Sequence, residues 1–366
     1  MDVRDCRGDP GSLILKKNQP KDFHKATVSF VPTPGKNTSQ VLEDLSLTSF
    51  QGRSLGQALS IWRQALSSGA TIFFGLSGAL VPAGFRKTVA YLIENHLIDV
   101  LVTTGANMFH DVHQSYGGAY YLCSPNADDK VLREHRMDRM YDVAASDREF
   151  EEIDANIATF AKTLERRPHT TREFFNLLGK AITEEVEEDG IVTTAYKNNV
   201  PIFCPAIADS SFGLALAIAN IKENVQFNFD VVGDIVEMVS ILDISPGAAE
   251  IIMGGGTPKN FIQQAAVVFD LTGRKSRTYK YCVQVTTDAP HWGGLSGCTF
   301  EESTSWGKIH FEAEKVAVYC DASIGLPLLA QALAEEQAWK LRPQIPTFKM
   351  GPKLEPHIHK QKVLVG

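Results

Sequence analysis

Apolar residues recur along this chain at two alternating periods. Leu55, Ala58, Leu59, Trp62, Ala65 and Leu66 share one face of a helix. Residues 71–74 are a short β-prone run that ends at Gly75. Pro82 suits the first turn of a second helix, whose apolar face is Phe85, Val89, Leu92 and Ile93. Residues 98–102 read as a buried strand that ends in Thr103-Thr104-Gly105. Strand, helix and strand within about 30 residues make a βαβ unit.

The theme repeats downstream. Thr170 and Glu173 have capping-box spacing before Phe174, Phe175, Leu178 and Ile182. Strands are predicted at 201–204, 251–253, 281–285 and 316–320, with helices from about Pro258 and over 326–339. The expected fold is α/β: a Rossmann-like, doubly wound, mostly parallel sheet with helices on both faces. One domain is expected over 51–341. Residues 1–50 mix Lys, Pro, Asp, Ser and Thr without steady periodicity and read as a partly disordered arm. Residues 342–366 hold four prolines and five basic residues against Glu355, and read as a basic tail.

Composition narrows the function classes. Of 366 residues 44% are hydrophobic and 22% charged, an ordinary globular balance. No run of 18 apolar residues and no secretory leader is evident, so a membrane span is not expected and a cytoplasmic location is. Net charge is −7, which disfavours a general nucleic-acid footprint. The six cysteines form no CxxC pair and no zinc spacing, so neither a metal site nor a disulfide is expected.

In a parallel sheet, ligands bind beyond the carboxyl ends of the strands. The loops there hold Gly78; Thr104 and Gly105; Asp209; Gly254-Gly255-Gly256; Thr287 and Asp288, then Gly293-Gly294; and Asp321-Ala322. Small residues let backbone N–H groups approach phosphates, and loop acids accept from ribose hydroxyls. No GxGxxG fingerprint is present, which disfavours an ordinary Rossmann dehydrogenase. Together the loops suggest a dinucleotide laid across the sheet edge.

The segment Glu301-Glu302-Ser303-Thr304-Ser305-Trp306-Gly307-Lys308 carries the reactive candidate. A neutral lysine amine attacks an imine or carbonyl carbon, and burial or a cationic neighbour favours the neutral form. Trp306 offers a π face to an alkylammonium chain, Glu302 a carboxylate, and Gly307 room. An exposed lysine beside a packing tryptophan is the alternative.

With these residues the chain resembles the deoxyhypusine synthase family. The carriers are Ser305-Trp306-Gly307-Lys308, the run Asp99-Val100-Leu101-Val102-Thr103-Thr104, the triple glycine with Lys259, and Asp321-Ala322-Ser323. The resemblance spans about 52–334. It implies a NAD-binding catalytic domain over 51–341 that oxidises a polyamine to an imine, carries its 4-aminobutyl group on Lys308 and transfers it to an acceptor amine. It also implies a homotetramer. By position, Glu302, Trp306, His110, Gly294 and Asn260 would bind the amine. Gly78, Thr104, Gly105, Asp209, Gly255, Thr287, Asp288, Asp321 and Ala322 would bind NAD.

Departures from the family lie in the amine site. Asn260 stands where eukaryotic members have histidine, Leu214 and Leu295 where they have acids, and Phe109-His110 where they have paired glutamates. His110, Asp111, Asp288 and Glu301 are candidates to replace the lost charge. Fewer acids disfavour a trivalent amine, so a small diamine is the expected acceptor. In that case the donor is spermidine or putrescine and the product resembles homospermidine. The alternatives are a lysine of the hypusine-bearing translation factor, and a non-catalytic NAD-binding partner subunit.

Overall fold

The computed structural model describes residues 27–274 and 277–360. Six strands form its centre: β1 (Thr71–Leu76), β2 (Val100–Thr103), β3 (Ile202–Phe203), β4 (Ala248–Met253), β5 (Tyr279–Val285) and β6 (Ile309–Val318). All pair in parallel, in the order β3-β2-β1-β4-β5-β6. Successive side chains of a strand point to opposite faces. Ile72, Phe74 and Leu76 of β1 enter one core, and Phe73 enters the other. Helices Phe50–Ser67, Arg86–Glu94 and Ala322–Glu335 cover the first face. Helices Val231–Ile244 and Gly256–Leu271 cover the second. Burial on both faces explains why the strands read as continuous apolar runs. The sheet is therefore doubly wound, as expected. Its order reverses between β1 and β4, the place at which open sheets of this kind bind ligands beyond the strand ends.

Several local expectations change in detail. The helix expected at Pro82 opens with a π-helical turn, Val81–Phe85, in which Gly84 takes φ 98°, before Arg86–Glu94 continues. Thr170 caps helix Thr171–Ile182 by accepting from the Glu173 N–H at 3.1 Å. The Glu173 carboxylate turns to Arg167 and His169 instead of closing the capping box.

The flanks differ more. The segment expected as a tail pairs as an antiparallel hairpin, Gln344–Met350 with Leu354–Lys360, and buries Phe348 and Leu354 in the second core. Pro346 and Pro356 are tolerated because both strands of a two-stranded hairpin are edges. In the segment expected as an arm, Asn37 caps helix Thr38–Ser46 in a capping box, and the helix buries Leu42. Residues 1–26 of that arm lie outside the described residues. A three-stranded antiparallel sheet, Tyr121–Leu122, Met137–Met140 and Val143–Ser146, is inserted between β2 and β3. These strands are too short or too mixed in character to show an alternation. Among the described residues no helix is long and apolar enough to cross a membrane.

Candidate active site

Lys308 is presented by a turn that its own sequence dictates. Thr299 caps the short helix Phe300–Ser305 by accepting from the Glu302 N–H at 3.1 Å. Gly307 takes φ +70°, a region that disfavours any residue with a Cβ. The Gly307 N–H then donates to Thr304 O and the Lys308 N–H to Ser303 O, a Schellman closure that ends the helix. The chain leaves this turn into β6, and Lys308 is buried while its neighbours Trp306 and Gly307 stay exposed.

The Lys308 amine opens into a cavity of about 330 Å³. Asn260, Gly294, Glu302 and Trp306, all expected at the amine site, line it with Lys308, as do Lys259, Gln263, Leu295 and Cys298. Lys308 Nζ donates to Asn260 Oδ1 at 2.9 Å and lies 5.6 Å from the centre of the Trp306 ring. Glu302 is the only carboxylate among the described lining residues. Asn260 thus holds the amine with a neutral oxygen, which orients the nitrogen without demanding a charge on it.

Helix Gly256–Leu271 supplies the opposite wall, with Asn260, Gln264 and Val267 toward the cavity and Lys259 and Gln263 buried beneath it. Lys259 Nζ donates to Gln284 Oε1 at 2.8 Å and to Cys298 O. Gln284 Nε2 donates to Gly254 O and Ser296 O at 2.8 and 2.7 Å, tying the pocket to the glycine loop. Burial pulls the Lys259 ammonium below its ordinary range; Glu250 opposes this and Lys308 reinforces it. The sequence pattern does not disclose this buried layer. Lys259 reads there only as part of a glycine motif, and Glu250 stands just before the apolar run 251–253.

The nucleotide candidates lie along the carboxyl ends of the strands. Ser77 Oγ donates to Gly255 O and accepts the Gly255 N–H at 3.1 Å. The Gly256 N–H reaches Ser296 Oγ at 2.9 Å. A Cβ on Gly255 would meet Ser296 Cα at 2.5 Å, so this contact requires glycine. Likewise a Cβ on Gly105 would meet Ser210 Oγ at 2.2 Å, which locks the β2 loop to the β3 loop. Thr104 Oγ1 donates to Gly78 O at 2.7 Å and caps helix Gly105–Ser115. Asp321 caps helix Ala322–Glu335 by accepting from the Ser323 N–H and hydroxyl, which hold its carboxyl below the usual range. Asp209 and Thr287 are exposed at the same edge, and Asp288 lies beside Gly294.

Not every candidate joins the pocket. His110 lies on helix Gly105–Ser115, with Nδ1 2.7 Å from the Tyr120 hydroxyl and its ring against Phe150. Burial, and then His113, push its pKa down to about 4. Asp111 is fully buried and taken up by Arg86 and the N–H groups of Ile191 and Val192. Glu301 is exposed and pairs with Lys315 at 3.3 Å. Leu214 is exposed on helix Ser211–Glu223, whereas Leu295 does line the cavity.

A parallel sheet with its switch point between β1 and β4, glycine loops at that point, and a buried lysine in an adjoining cavity define a doubly wound α/β protein with a candidate active site. The chain belongs to the deoxyhypusine synthase family, whose model matches residues 40–333. It is 44% identical over 303 residues to "Probable deoxyhypusine synthase 2" of Methanosarcina mazei, covering 82% of this chain and 88% of that one. It is 47% identical over 290 residues to the protein of the same name from Archaeoglobus fulgidus, with 79% and 95% covered. It is also 34% identical over 337 residues to "Deoxyhypusine synthase-like protein" of Elusimicrobium minutum, with 90% and 89% covered. The fold is shared with an Entamoeba histolytica crystal structure assigned to the deoxyhypusine synthases, at TM-score 0.55, 19% identity, and 81% and 93% coverage. Members of the family are NAD-dependent aminobutyltransferases, and this chain is a transferase of that family.

Proposed function

We propose that this protein carries a 4-aminobutyl group on Lys308 and hands it from a polyamine to a small diamine. The carrying observation is Lys308 Nζ, buried in a 330 Å³ cavity and oriented by the neutral Asn260 oxygen. A lysine held in this way can attack an imine carbon. The C–N bond to the departing amine then breaks, and the fragment stays on Lys308 as an imine. The acceptor amine attacks the same carbon, and the bond to Lys308 breaks in turn. Glu302 is placed to pair with a far ammonium, and the Trp306 face to flank the alkyl chain. Burial of Lys308 limits the water that reaches the imine.

The sheet edge fits NAD. Helices Gly105–Ser115, Gly256–Leu271 and Ala322–Glu335 turn their N-termini to it, where N–H groups favour phosphate. Gly78 has open space around it, and Asp209 and Asp321 are exposed to accept from ribose hydroxyls. Gly78, Thr104, Gly105, Asp209, Gly255, Thr287, Asp288, Asp321 and Ala322 would hold the group. When bound it supplies reversible hydride acceptance at the amine carbon.

Two observations favour a small acceptor. The cavity lies at the low end of the range for small-molecule sites. Among the described residues one carboxylate lines it, enough for one distal ammonium. A second reading has its own support: the cavity-lining residues Leu295 and Trp306 are exposed, and such an apolar mouth can receive a lysine of a translation factor. The names of the archaeal relatives point the same way. A competition assay separates the two, with spermidine as donor and labelled putrescine offered beside a purified hypusine-accepting factor. Label in a homospermidine-sized product supports the diamine. Transfer to the protein alone overturns it. A homotetramer in the cytoplasm completes the proposal, supported by the exposed apolar residues Ile221, Val232 and Val236.

A further inference from the structure

Lys308 is gripped at both ends, and the two grips belong to different elements. Its main-chain N–H donates to Ser303 O at 3.2 Å, in the turn that closes the short helix Phe300–Ser305. Its amine donates to Asn260 Oδ1 at 2.9 Å, on helix Gly256–Leu271. One side chain joins the two elements behind the cavity wall. Gln263 Oε1 accepts from Ser303 Oγ at 3.2 Å, and Gln263 Nε2 donates to Glu250 Oε1 at 3.0 Å. Gln263, Ser303 and Glu250 are all buried. Gln263 stands three residues after Asn260, on the same face of its helix. The contacts thus close a ring: the Lys308 main chain hangs from Ser303, Ser303 bonds Gln263, and Gln263 shares a helix face with Asn260, which holds the tip of Lys308.

We propose that Gln263 is a positioning residue: it sets the register between the helix that holds the Lys308 amine and the turn that presents it. The inference rests on Lys308 being the nucleophile. A lysine stem is a flexible four-carbon chain, so the direction of its amine depends on how its two anchors are placed. A carboxamide suits the junction because it offers a donor at one end and an acceptor at the other. Glu250 takes the donor, which leaves Oε1 for the Ser303 hydroxyl. Buried groups stripped of a partner are costly, so both ends of Gln263 are specified. A second tie, from Lys259 Nζ to Cys298 O, holds the start of the short helix. The Gln263 bond holds the end nearer Lys308. Its loss therefore lets the turn shift without parting the two elements.

The test is the single-turnover rate at which a borohydride-trapped 4-aminobutyl adduct forms on Lys308 with NAD and spermidine, read by peptide mass spectrometry. NAD affinity is measured beside it by calorimetry. Ser303→Ala removes one buried hydroxyl and leaves the cavity lining intact. It should slow adduct formation roughly 10- to 100-fold, the scale expected of a misplaced reacting group, with NAD affinity unchanged. Gln263→Met keeps the side-chain length without either bond and should do the same. In an Asn260→Ala background the amine has already lost its anchor, so adding Ser303→Ala should cost less than about threefold. A merely structural role would cost the same factor in both backgrounds. A wild-type rate in either single variant, or an equal loss with and without Asn260→Ala, would overturn the proposal. Should Gln263→Met not fold, the Ser303 and Asn260 cycle decides alone. No adduct on Lys308 in wild type would sink the nucleophile itself, and this inference with it.

Discussion

Arg342 ties the last part of the chain to the start of the sheet, and breaking that tie should be costly. Its Nη1 and Nη2 donate to Asp99 Oδ1 and Oδ2 at 2.7 and 2.8 Å. They also reach His96 O at 2.5 Å and Ala70 O at 3.2 Å. Asp99 Oδ2 accepts the Ile72 N–H at 2.8 Å, so one carboxylate fastens both β1 and the residue that leads into the hairpin. Both side chains are essentially inaccessible, at 0% and 1%. Arg342→Met keeps the length and strands the carboxylate, with one N–H left to it. Breaking a buried pair from one side costs about 3–5 kcal/mol. Adding Asp99→Asn keeps an acceptor for Ile72 and removes the stranded charge, so the double variant should recover much of the loss. Urea unfolding followed by fluorescence reads this directly, since buried Trp62 donates to Leu97 O at 3.1 Å close by. A single variant within about 1 kcal/mol of wild type would refute the reasoning. So would a double variant no more stable than Arg342→Met.

Three further outcomes are expected. Asn260→Asp puts a carboxylate where the amide oxygen now lies 2.9 Å from Lys308, and should cut the free-base fraction about 10- to 1,000-fold. Transfer at neutral pH should fall accordingly and recover as pH rises, whereas Asn260→Ala should lower the rate without moving the pH dependence; equal pH profiles for Asn260→Asp and wild type argue against a free-base nucleophile. Asp321→Asn retains a capping oxygen for Ser323 while removing the charge, so calorimetry should show NAD binding weakened about tenfold with melting unchanged. Unaltered affinity would displace the ribose from this loop. His110 is depressed to about 4 from 6.5 by burial and then by His113. The folded state therefore refuses a proton that the unfolded chain accepts, and stability present above 6.5 is lost as pH falls toward 4. His110→Gln should flatten that decline, and parallel stability curves would show that the histidine titrates normally.

The sheet was legible because most of its strands are buried on both faces, as β1, β2 and β4 are throughout. Such strands appear as apolar runs bounded by glycine or hydroxyl residues, as at 71–74 and 251–253. The strand-end rule then located the loops without any side-chain contact being known, whereas Lys308, which precedes β6, is read from its own segment and the family resemblance. Of the inserted strands, Met137–Met140 is half-buried along its length and carries two charges, so neither period shows, and Tyr121–Leu122 is too short to show one. The hairpin was masked by prolines that are tolerated only because its strands have free edges. Glu250 was hidden for the opposite reason. An acid at the start of an apolar run looks like a boundary, and only the pairing with β5 shows that it lies inside. Asp111 looked like a spare charge for an amine, but Arg86 and two backbone N–H groups already claim it. Partners that distant in sequence leave no local trace.

Everything proposed for the reaction turns on a covalent bond at one nitrogen. Borohydride added during turnover with NAD and spermidine, followed by peptide mass spectrometry, tests it most directly. The expected result is a reduced 4-aminobutyl adduct on Lys308, absent without NAD and absent in Lys308→Arg, whose guanidinium stays protonated. Continued transfer by Lys308→Arg, or an adduct found on Lys259 in place of Lys308, would contradict it.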